Sequence, residues 1–117
     1  MSKKELFNFF YAMKFQKLLF FFILFPIQIQ ALSFDKGKEL FFQNCDACHR
    51  NGINLIIPEK NFKKETLEAN GMNTIEAITY QILNGKNGMP AFGGRLLETE
   101  IEDVAFYVLQ QSEQNNF

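Results

Sequence analysis

The chain has 117 residues, 47% of them hydrophobic and 21% charged, with a formal net charge of −1. That length holds one domain and excludes a large multidomain enzyme. The near-neutral charge gives no footprint for nucleic acid, and a single His excludes any site built from several. The average conceals two pieces. Residues 1–33 hold 21 hydrophobic residues, eight of the 15 Phe, four Lys and one acid, Glu5. Lys14 and Lys17 precede an unbroken apolar run of ten from Leu18 to Ile27, and Ala31-Leu32-Ser33 has the small-x-small form of a cleavage site. Together these are the basic, apolar and cleavage regions of an export signal. Ten apolar residues fall short of the roughly 20 that a spanning helix needs. An uncleaved anchor would have to recruit Phe15 and the stretch from Ile27 to Leu32. Met13 is an alternative start, because Met13 to Ser33 is a complete signal by itself. The expected organisation is a targeting segment over 1–33, cut after Ala31 or Ser33, and an extracytoplasmic domain over 34–117.

That domain holds eight basic and twelve acidic residues. Its apolar spacing predicts a helix from about Asp35 to Asn44, with Gly37, Leu40 and Phe41 on one face. A weaker helix covers Lys63 to Asn70 and stops at Gly71. A third runs from Thr74 to Leu83, with Ile75, Ile78 and Ile82 aligned, Asn73 and Glu76 at its start and Asn84-Gly85 at its end. The last spans about Glu100 to Ser112. There Ile101, Val104, Ala105, Val108 and Leu109 form one stripe, and Thr99 with Glu102 makes a capping box. No stretch alternates with period two, so the expected class is all-α, three to five helices. A glycine permits close backbone approach, so the first and last of these helices are expected to cross at Gly37, with Phe41 against the face carrying Val104 and Tyr107. A helical domain of this size has a small core and often needs a staple or cofactor.

The chemistry sits in Cys45-Asp46-Ala47-Cys48-His49. Two thiols three residues apart can each add to one vinyl group of a haem, and the His that follows can reach the iron. A disulfide between Cys45 and Cys48 would close too short a loop to stabilise much. Structural zinc wants four ligands, and no further Cys or His exists. A thioredoxin-like dithiol wants a preceding strand, where a helical pattern stands instead. Haem iron takes a second axial ligand or leaves an open site, and with no second His the candidates are Met72 and Met89. Met89 lies in an irregular loop with Gly85, Gly88 and Pro90 that can wrap over a flat ring, whereas Met72 adjoins a helix start and suits packing. Axial His and Met fill both iron positions and raise the potential. That favours electron transfer over oxidase or peroxidase chemistry, with a haem sensor or peroxidase in which Met89 is unbound as the competing class.

At this point the chain resembles the cytochrome c6 family, small soluble class I cytochromes c of cyanobacteria and algal plastids. The resemblance covers Gly37-Lys-Glu-Leu-Phe41, the motif from Cys45 to His49, and Leu67-Glu-Ala-Asn70. It continues through Met72 to Gln81 and Asn84 to Arg95, and ends in Ile101-Glu-Asp103 and Tyr107-Val-Leu109. It implies a class I cytochrome c fold with one haem c on Cys45 and Cys48, its iron ligated by His49 and Met89. It implies a monomeric electron carrier rather than an enzyme. The carrier would work between cytochrome f of the cytochrome b6f complex and photosystem I, in the thylakoid lumen. A backbone carbonyl in the loop from Ile53 to Pro58 is expected to hold His49, with Pro58 the chosen anchor. Arg95 matches a family Arg near the haem and in docking. Leu83 stands where a Gln is expected just before Asn-Gly, and an apolar side chain there would lower the potential. Two further roles share this chemistry: a respiratory donor to a terminal oxidase, and a low-potential relative with another partner. Glu98, Glu100, Glu102 and Asp103 suit a helix N-terminus or a patch that steers docking onto a basic partner.

Overall fold

The computed structural model describes residues 2–23 and 30–117. The later part of the apolar run, residues 24–27, lies outside them. The chain divides into two units, Met1–Gln30 and Ala31–Phe117. In the first, α1 (Lys3–Ile23) is a 21-residue helix. No helix among the described residues is long and apolar enough to cross a membrane.

The second unit is helical, with no strand among the described residues. It comprises α2 (Phe34–Asn44), the single turn α3 (Asp46–His49), a 3-10 turn (Arg50–Gly52), α4 (Lys64–Ala69), α5 (Ile75–Asn84) and α6 (Glu98–Gln114). The expected all-α class and helix number hold. Ser33 caps α2, its Oγ accepting the Lys36 N–H at 3.3 Å, and its own N–H donates to Asp103 Oδ1 at 2.7 Å. This residue, placed at the end of the targeting segment by sequence, thus belongs to the folded unit. Gly37, Leu40 and Phe41 are buried as expected. A Cβ on Gly37 would collide with the Asp103 carbonyl and come within 3.0 Å of Tyr107 Cβ. The two helices therefore cross at Gly37. Phe41 meets Tyr107 there with centroids 5.2 Å apart. Ile101, Val104, Ala105 and Val108 line the buried stripe of α6, and burying a side chain the size of Ile or Val is worth about 1.5–3 kcal/mol.

Two helix starts differ from expectation. Thr74, not Asn73, caps α5, its Oγ1 accepting the Ala77 N–H at 3.2 Å. α6 begins at Glu98, and Glu100 Oε2 accepts the Leu97 N–H at 3.0 Å, so the Thr99–Glu102 box is not formed. Thr99 lies inside the first turn, where its hydroxyl has no cap to make. α6 ends at Asn115, which is left-handed at φ 52°.

Candidate functional site

Helices α2, α5 and α6 surround a cavity of about 280 Å³. Packed interiors hold few voids larger than one water, so a space of that size is built for a group the side chains do not fill. Phe41, Leu67, Ile78, Ile82, Phe92 and Val104 give it apolar walls. Cys45, Cys48, His49, Met72 and Met89 line the same cavity, so the fold gathers both cysteines, the single His and both candidate methionines. Pro58, Leu83 and Arg95 are not among its lining residues.

On the motif side, α3 is one turn. The Cys48 and His49 N–H groups donate to the Cys45 carbonyl at 3.1 and 2.9 Å. Arg50 grips Asp46 through two nitrogens, at 2.9 and 2.6 Å. Cys45 is buried and Cys48 exposed, and neither is in a disulfide. Burial, with Cys48 nearby, pushes the Cys45 thiol up to about 11. His49 Nδ1–H donates to the Ile53 carbonyl at 3.1 Å. This fixes the tautomer and leaves the Nε2 lone pair free. Burial lowers the His49 pKa from its ordinary 6.5, opposed by that bond, so the ring is held neutral. Pro58 is not the anchor. Its carbonyl accepts from Asn61 Nδ2 at 3.3 Å, because the loop turns before reaching it.

On the methionine side, Lys86 and Met89 exchange backbone hydrogen bonds at 3.1 and 3.0 Å. Gly85 at φ +67° starts this turn, and a Cβ on it would meet the Met89 carbonyl at 2.5 Å and the Ala91 nitrogen at 2.7 Å. Phe92 and Gly93 tie the exit back to α5 through the Ile82 and Leu83 carbonyls, at 2.9 and 3.0 Å. Gln81 Nε2 stands 3.8 Å from Met89 Sδ as its hydrogen-bond donor.

Gln81 is the residue the sequence reading missed. A helix turns about 100° per residue, so Ile78, Gln81 and Ile82 share the cavity face of α5 and Leu83 does not. Leu83 packs instead against Gly93, whose Cβ would lie 3.2 Å from Leu83 Cδ1. The polar side chain sought at position 83 is present at 81, and Leu83 gives no ground for a lowered potential. Arg95 is exposed and lies over the Phe92 ring, 4.8 Å from its centroid. Of the acidic cluster, Glu100 and Asp103 are committed to the Leu97 and Ser33 N–H groups.

An all-α unit that brings C-x-x-C-H into an apolar cavity is a class I cytochrome c, carrying one covalent haem c, with Cys45 and Cys48 in the C-x-x-C-H positions. The comparisons narrow this class. Residues 33–108 match the family model described as cytochrome c oxidase, cbb3-type, subunit III. The cytochrome c6 of Bumilleriopsis filiformis is 64% identical over 80 residues, covering 68% of this chain and 93% of its own. That of Pyropia tenera is 63% identical over 79 residues, with coverages of 68% and 93%. The crystal structure of cytochrome c6 from the diatom Phaeodactylum tricornutum aligns at a TM-score of 0.68 and 46% identity, covering 70% of this chain and 97% of that one. The chain belongs to the cytochrome c6 family. It is a haem electron carrier.

Proposed function

We propose that this carrier takes electrons from cytochrome f of the cytochrome b6f complex to photosystem I in the thylakoid lumen, with His49 and Met89 as axial ligands. The haem supplies a one-electron iron couple. His49 presents Nε2, held by the Ile53 carbonyl. Met89 presents its thioether, and the Gln81 amide draws density from that sulfur, which favours the reduced iron. Lys60 lines the cavity and would offer an ammonium group to a haem carboxylate. The observation that carries the reading is the convergence of the motif and a donor-supported methionine on one cavity. That convergence favours an electron carrier over an enzyme.

Residues 1–31 act as the export signal, and the cut falls after Ala31. A cut after Ser33 would remove the cap of α2 and the bond to Asp103. N-terminal sequencing of the mature protein should begin at Leu32; a start at Phe34 would contradict this. Glu98 and Glu102 remain exposed on the acidic cluster, so docking should weaken as salt screens them. Electron donation to a terminal oxidase is the second reading, drawn from the match to an oxidase-subunit model. Flash-induced oxidation with purified photosystem I separates the two, beside a redox titration. The proposal expects rapid oxidation, slowed by salt, and a midpoint potential near that of cytochrome f. A potential well below it would sink the shuttle role.

A further inference from the structure

Beyond α6 the chain doubles back. Gln111 holds it twice: its carbonyl accepts the Asn116 N–H at 3.0 Å, and its Nε2 donates to the Asn116 carbonyl at 3.1 Å. This sets the Phe117 ring among Phe62, Phe41 and Tyr107, with centroids at 5.4, 6.1 and 6.3 Å. Its seat on the 3-10 turn is a glycine. A Cβ on Gly52, itself at φ +71°, would lie 2.6 Å from Phe117 Cβ and Cγ. Phe62 in turn donates its N–H to the Gly52 carbonyl at 2.7 Å. It also stacks on the His49 ring, with centroids 4.7 Å apart and planes 23° apart. Contacts therefore run unbroken from the end of α6 through Phe117 and Phe62 to the imidazole. The α2–α6 crossing does not require them, since Gly37, Phe41 and Tyr107 already make it.

We propose that Phe117 is a positioning residue for His49, fixing the plane of its imidazole through Phe62. This rests on His49 being an iron ligand. The Ile53 carbonyl sets the direction of Nδ1–H but leaves the ring free to rock about that bond. A stacked aromatic held from behind removes this freedom. Imidazole orientation sets the overlap of its π orbitals with iron, so it is read in the magnetic anisotropy of the ferric haem. Side chains in direct contact couple rather than add, so the two partly buried aromatic positions should not be independent.

The test is paramagnetic proton NMR on ferric holoprotein carrying Phe117→Ala, Phe117→Leu, Phe117→Tyr, Phe62→Leu, or Phe117→Ala with Phe62→Leu. The haem methyl resonances should shift in Phe117→Ala and Phe117→Leu and return to the wild-type pattern in Phe117→Tyr. Phe62→Leu should shift them also, and adding Phe117→Ala should move them little further. Where Phe117→Ala does not fold, Phe117→Leu carries the test. A wild-type methyl pattern in the Ala and Leu variants, alongside lowered melting, would make Phe117 merely structural and overturn the proposal. Fully additive shifts in the double variant would overturn the route through Phe62. If His49 is not a ligand, the wild-type spectrum itself lacks hyperfine-shifted imidazole protons, which separates that failure from this one.

Discussion

The His49 and Met89 sides of the cavity are built by different means. His49 stands on a single helical turn braced by the Arg50–Asp46 pair, and its ring stacks on an aromatic cluster at the α2–α6 crossing. Met89 stands on a tight backbone turn whose shape depends on Gly85 and on bonds returned to α5. The first side is held by side-chain packing over long sequence distance, the second by local hydrogen bonds. Damage to each should therefore show in a different observable. Loss of packing should lower the melting temperature first, and loss of the turn should alter the iron spectrum first.

Gly37→Val is the severest way to break the packing side. Its Cβ would strike the Asp103 carbonyl, with a second clash at Tyr107. The helices must separate, at a cost of about 3 kcal/mol or more. Thermal melting should fall sharply, while molecules that remain folded keep their methionine-ligated spectrum. Gly85→Ala tests the other side. The left-handed backbone and the contact with the Met89 carbonyl should cost about 2 kcal/mol, confined to the turn. Carbon monoxide binding to the ferrous protein should accelerate more than melting falls. Equal effects on both observables would erase the contrast. Gln81→Val is the mildest change. Removing a net hydrogen bond of about 1 kcal/mol from the sulfur should lower the midpoint potential by roughly 40 mV. An unchanged or raised potential in a redox titration would show that the Gln81 contact does not tune the iron.

Much of the packing side was legible in the sequence, because its signals are periodic or contiguous. C-x-x-C-H lies in five consecutive residues. The crossing at Gly37 follows from a glycine among apolar residues at helical spacing. The errors have a common physical source. Asn73 and Thr99 were plausible caps, but which residue caps depends on where the backbone turns, and Thr74 and Leu97 occupy those places. The choice of Pro58 over Ile53 was a choice between carbonyls, and every residue has one, so composition gives no cue. Gln81 was missed through attention to Leu83, the neighbour of Asn84-Gly85, although the spacing from Ile78 already placed 81 on the inner face. The left-handed stop at Asn115 and the return through Gln111 are local, but the rings that Phe117 then meets, Phe41 and Phe62, are distant in sequence and leave no signal beside it.

The central claim is that Met89, rather than Met72, completes the iron coordination opposite His49. Both methionines line the cavity, and among the described residues Met89 alone of the two has a side-chain donor at its sulfur. The sulfur-to-iron charge-transfer band of the ferric protein, recorded for Met89→Ala and Met72→Ala, decides between them. The account predicts that the band vanishes in Met89→Ala, with the ferrous iron opened to carbon monoxide, and persists in Met72→Ala. A band that survives Met89→Ala and disappears in Met72→Ala would contradict it.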